Sequence, residues 1–290
     1  MSTTQTGSNA VVEMAFETLK VQNEGAVLLV SIAAPPMNLL GPELVRDLVS
    51  LIQQAEANDD IQVLVFKSAD PNYFISHVDI TRVAEYRNEA AKLVGVPSLG
   101  LLFRYLSASR LVTIAQIEGR TRGAGNEFVL ACDMRFAARE SAVFAHPEAA
   151  LGNIPGAGGI QHLTRLMGRG RALEVILSAY DYNGDLAERY GWVNRALPAE
   201  LVGEFVRSLA HRIAAFPSPA RRALKERINA ISLASVDDFR SDSDLFGELV
   251  RTPEAQSRTQ AAMQRGFQTP DGELSLGALL GKLEANEARS

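Results

Sequence analysis

The glycine-rich turn EGRTRGAGNE, Glu118 to Glu127, constrains this chain more than any other segment. It follows the apolar stretch Val112 to Ile117 and precedes the apolar run FVLAC, so it joins a strand to a helix. Such a turn leaves backbone N–H groups free to point at a negative oxygen, and the positive end of the helix dipole adds to them. No Gly-Lys-Ser/Thr follows, so it is not a nucleotide-binding P-loop, and it lacks the GxGxxG spacing of a dinucleotide site. On its own the turn also fits tight packing of a helix against a strand.

The rest of the first two-thirds has the same α/β character. Phe16 to Gln22 and Ala26 to Ile32 read as strands around the turn Asn23 to Gly25. Pro42 to Asn58 carries Leu44, Leu48, Leu51, Ile52 and Ala55 at helical spacing, and Ile61 to Phe66 is a short buried strand. Asp79 to Ser109 is largely helical. Short strands are expected at Met134 to Ala137 and Ala142 to Ala145, then a helix from Gly159. From Ala199 the pattern is almost wholly helical: 199–215, 218–230, 236–250, 253–265 and 273–288. Strand–strand–helix units are suggested, without a clean repeat. The tail stripe Leu201, Phe205, Leu209, Ile213 suits either the chain's own core or a subunit contact. The division expected is a flexible start (1–12), an α/β core (13–198) and a helical C-terminal region (199–290) that serves oligomerisation.

With 47% apolar and 22% charged residues the chain is globular in composition. A net charge of −5 and the lack of Lys/Arg runs argue against a nucleic-acid partner. The single cysteine, Cys132 in LACDMRF, permits no intrachain disulfide and reads as packed core. Met1 to Ala10 lacks the basic start and apolar stretch of a signal peptide, and AVLLVSIAAPP is too short to span a bilayer. The expected setting is the cytoplasm, with no membrane partner.

Two carboxylates lie beside glycine clusters. Glu127 follows Gly125 in the first helical turn, where capping alone would explain it; Glu148 lies in HPEAALGNIPGAGG, where solvation alone would. Sharing one dry pocket, their mutual repulsion and desolvation would raise one pKa, leaving one acid and one base. His146 and His162 are too isolated for a zinc set, so no metal is expected. The adjacency of Ser76 and His77 is no evidence of a hydrolase triad.

The runs GRTRGAGNEFVLACDMRFAA and FAHPEAALGNIPGAGGIQHLTRLMGRGRALEVIL resemble the signature of the enoyl-CoA hydratase/isomerase (crotonase) family. IAAPPMNLL at Ile32 to Leu40 and YFISHVDI at Tyr73 to Ile80 are similar to two further family elements. The resemblance is clear over Phe16 to Pro198. It implies a spiral of strand–strand–helix units and an oxyanion hole made by the backbone N–H groups of Val78 and Ala124. It implies Glu127 and Glu148 as the catalytic pair of a hydratase, with the Gly156 N–H holding the attacking water. Asn38, Gly123 and His77 are further candidates for substrate contact. The substrate implied is an acyl-CoA thioester, with coenzyme A present only as part of it and no other cofactor. The assembly implied is a trimer or a dimer of trimers.

Three departures qualify this. His77 stands where the family pattern has glycine; it is expected to be strained if φ is positive, at the rim of the acyl pocket, with its ring turned to solvent. One extra residue separates the glutamates, in AARESA. The tail segment TQAAMQRGF has Arg265 alone where many members carry several basic residues near the CoA phosphates. His162 replaces a common arginine and is expected to be structural, and Trp192 matches a packing segment. Hydration leads; double-bond isomerisation or another crotonase-type acyl-CoA reaction, or a non-catalytic binding subunit, are the alternatives.

Overall fold

The computed structural model describes residues 15–283, so the expected flexible start and the last residues of the expected terminal helix lie outside the described residues. The chain opens with a hairpin of β1 (Leu19–Glu24) and β2 (Val27–Ile32), followed by α1 (Pro42–Ala57). Three units then repeat one pattern. The first is β3 (Val63–Ser68), β4 (Tyr73–Ile75), α2 (Val83–Val94) and α3 (Leu99–Ala108). The second is β5 (Val112–Ile117), β6 (Arg120–Arg122) and α4 (Ala124–Ala131). The third is β7 (Met134–Ala138), β8 (Val143–Ala145) and α5 (Gly159–Ser178), with a single 3-10 turn at Glu148–Leu151. A shorter unit, β9 (Tyr182–Asn183), α6 (Gly184–Tyr190) and β10 (Arg195–Leu197), closes the core.

In those three units the first strand enters one sheet, ordered β1-β2-β3-β5-β7-β10, and the second enters another, ordered β4-β6-β8-β9; in the closing unit the order is reversed, with β9 in the small sheet and β10 in the large one. This is the crotonase-like spiral the resemblance implies. Strands β2, β3, β5, β7 and β10 run parallel, and such strands are buried on both faces. The pleat divides β3 accordingly. Leu64 and Phe66 join the core under the spiral helices, while Val63 and Val65 face α7 (Ala199–Ala214). That helix covers its face with Val202, Val206 and Ala210, one residue along from the stripe read in the sequence; Leu201 is 49% exposed. Of the two readings of that stripe, packing on the chain's own core is the one seen.

Helices α8 (Ser218–Ser232), α9 (Val236–Leu249), α10 (Pro253–Gln264), α11 (Pro270–Leu274) and α12 (Leu276–Gly281) follow. The stretch Asp79 to Ser109 is largely helical as expected, in two helices separated by Gly95 to Ser98, whereas the helix expected from Glu273 is broken at Ser275. The three-residue strand β6 lies inside the stretch expected to be turn.

The small sheet sets up the site. Strands β4, β6 and β8 are parallel neighbours, so their C-terminal ends leave one edge together. The segments that follow, Ser76 to Val78, Gly123 to Ala124 and His146 to Glu148, are thereby brought side by side.

Candidate active site

A cavity of about 390 Å³ opens at that edge, and Val78, Ala124, Glu127, Glu148 and Gly156 all line it. Among the described residues, three backbone donors there bond no acceptor. Leu40 N–H donates to the His77 carbonyl at 2.8 Å and Asp79 N–H to the Leu40 carbonyl at 3.2 Å. That parallel bridge turns the intervening Val78 N–H away from Leu40. Ala124 is the first residue of α4, whose amide has no partner within the helix. The Gly156 N–H, in an irregular segment, bonds no acceptor among the described residues.

Two glycines make this approach possible. Gly123 has φ 49°, and a Cβ there would stand 3.0 Å from Glu148 Oε1 and 3.5 Å from His77 Cβ. A Cβ on Gly125 would lie 2.2 Å from the Ile75 carbonyl oxygen, so only glycine lets α4 lie this close to β4. Gly156 is likewise enclosed, because a Cβ would meet Phe246 at 2.5 Å.

Both glutamates are buried. Glu127 Oε1 accepts from the Ala157 N–H at 2.7 Å and the Gly159 N–H at 2.9 Å. Those donors favour the carboxylate, as does His146, but burial and the nearby Glu148 charge outweigh them and push the Glu127 pKa up to about 7. Glu148 Oε2 lies 3.3 Å from His146 Nδ1. His146 is fully buried and its ring lies parallel to Trp192, 6.2 Å between centroids. Burial draws its pKa down, but Glu148 and Glu127 more than reverse this and leave it raised. The site thus holds a histidine behind two carboxylates, a group the sequence offered only as an isolated residue.

This predicts a pH-dependent stability. A carboxyl with a raised folded-state pKa stabilises the fold most below its unfolded value, and that contribution is lost as pH rises through the folded value. For Glu127 the window runs from 4.5 to about 7. Glu127→Gln keeps the accepting oxygen but not the charge. In thermal melts its melting temperature relative to wild type is expected to rise between pH 5 and pH 8; a constant difference would contradict the assignment.

Two expectations are corrected. Asn38 does not line the cavity. It is buried at φ 51°, accepts from the Ala34 N–H, and donates to Ser68 Oγ and the Tyr73 and Phe74 carbonyls, tying its turn to β4. His77 lines the cavity, but its ring is not turned to solvent and its φ is not positive. It is 3% exposed, stacks on Phe267 at 4.5 Å, and places Nε2 2.9 Å from Glu273 Oε1. Ser76 Oγ donates to the Met37 carbonyl, not to a histidine. His162 packs edge-on against Phe239 and is held neutral, its pKa lowered to about 3 by burial and by Arg135 and Arg165. Burial lifts the Cys132 thiol to about 12. The far cavity walls come from Val83, Tyr86 and Arg87 on α2 and Phe246 and Gln260 on α9 and α10, none of them marked by a motif.

The sequence profile of the Enoyl-CoA hydratase/isomerase family matches residues 22–268, and the chain belongs to that family. It is 28% identical over 256 residues to the short-chain-enoyl-CoA hydratase of Clostridium acetobutylicum, covering 87% of this chain and 97% of that protein. It is 29% identical over 256 residues to the crotonyl-CoA hydratase of Syntrophomonas wolfei, with the same coverage of each chain, 87% and 97%. A crystal structure from Streptomyces avermitilis, of a protein provisionally named enoyl-CoA hydratase, superposes with a TM-score of 0.90 at 52% identity, over 92% of this chain and 97% of that one. Among the described residues no helix is long and apolar enough to cross a membrane.

Proposed function

We propose that the chain adds water reversibly across the 2,3 double bond of an acyl-CoA thioester. The observation that carries this is the presence of two buried glutamates and three unspent backbone N–H groups on one cavity. The thioester oxygen takes hydrogen bonds from Val78 and Ala124, which strengthen as it gains enolate charge. The Gly156 N–H and the carboxylates hold a water over the β-carbon. A carboxylate takes one proton from the water as its oxygen bonds to that carbon, and a carboxylic acid gives a proton to the α-carbon. A pair in which Glu127 retains a proton near neutral pH meets both needs. Coenzyme A enters only as part of the substrate, in the cytoplasm. Isomerisation needs only a proton moved along the acyl chain, so two held carboxylates favour hydration. Turnover of crotonyl-CoA to the 3-hydroxyacyl thioester tests the proposal; binding without turnover would leave a non-catalytic subunit.

The same reading includes a homo-oligomer, a trimer or a dimer of trimers. Its support is apolar surface that the single chain leaves uncovered. Helix α8 buries no residue and exposes Leu224, Ile228 and Ile231 at 64%, 60% and 89%, at helical spacing along one side. Light scattering at micromolar concentration is expected to give a multiple of the 31.4 kDa chain mass. The mass of a single chain would count against it.

A further inference from the structure

We propose that Glu273, in the C-terminal segment, is a positioning residue that clamps both halves of the oxyanion hole at once. The inference rests on the Val78 and Ala124 assignment above. One carboxylate reaches the two loops that carry those donors. Its Oε1 lies 2.9 Å from Nε2 of His77, the residue immediately before Val78. Its Oε2 lies 3.4 Å from Nη1 of Arg122, two residues before Ala124, and the same Nη1 donates to the Glu273 carbonyl at 2.8 Å.

All three side chains are shut away from solvent: His77 at 3%, Arg122 and Glu273 at 0%. Nothing about a surface tether calls for such burial, and a buried charge persists only where partners satisfy it. Here they do. The Gln268 N–H also donates to Glu273 Oε1, at 3.2 Å. Arg122 spends its other edge on Asp181, through Nε at 2.7 Å and Nη2 at 2.8 Å. The second ring nitrogen of His77 faces the Val78 carbonyl at 2.7 Å. Both ring nitrogens of His77 thus face an acceptor. Burial raises the Glu273 pKa, but His77 and Arg122 more than offset it, leaving it lowered.

The segment around Glu273 is fastened to the same loop by separate contacts. Phe267 stacks on the His77 ring, the Gln268 side-chain oxygen accepts from the Ile80 N–H at 2.7 Å, and the Tyr73 hydroxyl donates to the Pro270 carbonyl at 2.7 Å. A histidine stands in the loop where the family pattern has glycine, and a tail poor in basic residues supplies the glutamate that meets it. The spacing of the Val78 and Ala124 amides is then set from the C-terminal segment, about 150 to 200 residues away in sequence.

The test reads carbonyl polarisation without turnover. Cinnamoyl-CoA is a conjugated thioester whose absorption moves to longer wavelength when hydrogen bonds polarise its carbonyl. Wild type is expected to bind it with such a shift. Glu273→Gln should bind it within about threefold of wild type, with most of the shift gone and kcat for crotonyl-CoA lowered by at least about tenfold, since misplacement by about 1 Å can cost about a hundredfold. His77→Ala, which leaves the Arg122–Glu273 pair in place, should lose part of the shift, and the double variant should lose no more than Glu273→Gln alone. Either variant, folded by circular dichroism and showing the full wild-type shift, overturns the clamp; if Glu273→Gln does not fold, His77→Ala decides. Wild type binding without any shift removes the hole and the clamp with it. A wild-type shift without hydration refutes the proposed reaction and leaves the clamp standing.

Discussion

Glu148→Gln and Glu127→Gln are each expected to lower kcat for crotonyl-CoA by at least about a hundredfold, the lower end of what general acid–base help contributes. Water is a poor nucleophile at neutral pH, and the β-carbon accepts it only while the thioester oxygen is polarised. In the proposed mechanism the hole polarises but moves no proton, and the carboxylates move protons but cannot hold the enolate. Removing either carboxylate leaves the other half of the work in place, so KM should change little. The fold should survive both changes. In Glu127→Gln the amide oxygen can still accept from the Ala157 and Gly159 N–H groups, and in Glu148→Gln an oxygen remains opposite His146. The double variant should cost less than the product of the single losses, because both groups act on one water. Near-full activity in Glu148→Gln would make one-glutamate isomerisation the better account.

Gly125→Ala is expected to produce the largest combined loss of stability and activity. The new Cβ would lie 2.2 Å from the Ile75 carbonyl oxygen and 2.8 Å from its Cβ. Strand β4 cannot step aside freely, because it is paired with β6 and tied through Asn38 to the turn before α1. Helix α4 must therefore lift, carrying the Ala124 amide and Glu127 with it. Overpacking of this kind costs about 1–3 kcal/mol, and a shift of about 1 Å in a catalytic group costs about a hundredfold in rate. Gly170→Ala is the matching control. It lies within α5 with nothing within 4 Å of the added Cβ, so it should be neutral or slightly stabilising. Melting temperature and kcat on both variants decide the matter. Equal behaviour would mean that the close contact between α4 and β4 does not set the site.

The parts of the site legible in sequence are those whose chemistry is local. Gly123, Gly125 and Glu127 fall within one turn and the start of one helix, and Glu148 sits two residues after the histidine that faces it. The spiral is legible through the family resemblance but not from the residue pattern alone, because β4, β6 and β8 are three residues each, too short to show the alternation by which a strand is recognised. The place of His77 is illegible for a different reason. Its partner Glu273 is 196 residues away, and no local pattern marks a pair that meets only after the tail has folded back. Asn38 shows the converse: a polar residue in a family element suggested substrate contact, whereas its amide supplies the bonds that hold the Pro-rich turn. The walls from α2, α9 and α10 carry the ordinary helical spacing of core residues and gave no sign of facing a cavity.

In the proposed reaction Glu127 and Glu148 direct one water onto the β-carbon of an enoyl thioester held by Val78 and Ala124. This is tested most directly by incubating the protein with crotonyl-CoA in ¹⁸O-labelled water and analysing the product by mass spectrometry. The expected product is a 3-hydroxyacyl thioester carrying one ¹⁸O on carbon 3, formed by wild type and all but lost in Glu148→Gln. Unlabelled crotonyl-CoA recovered unchanged, or a thioester with its double bond moved and no oxygen gained, would contradict it.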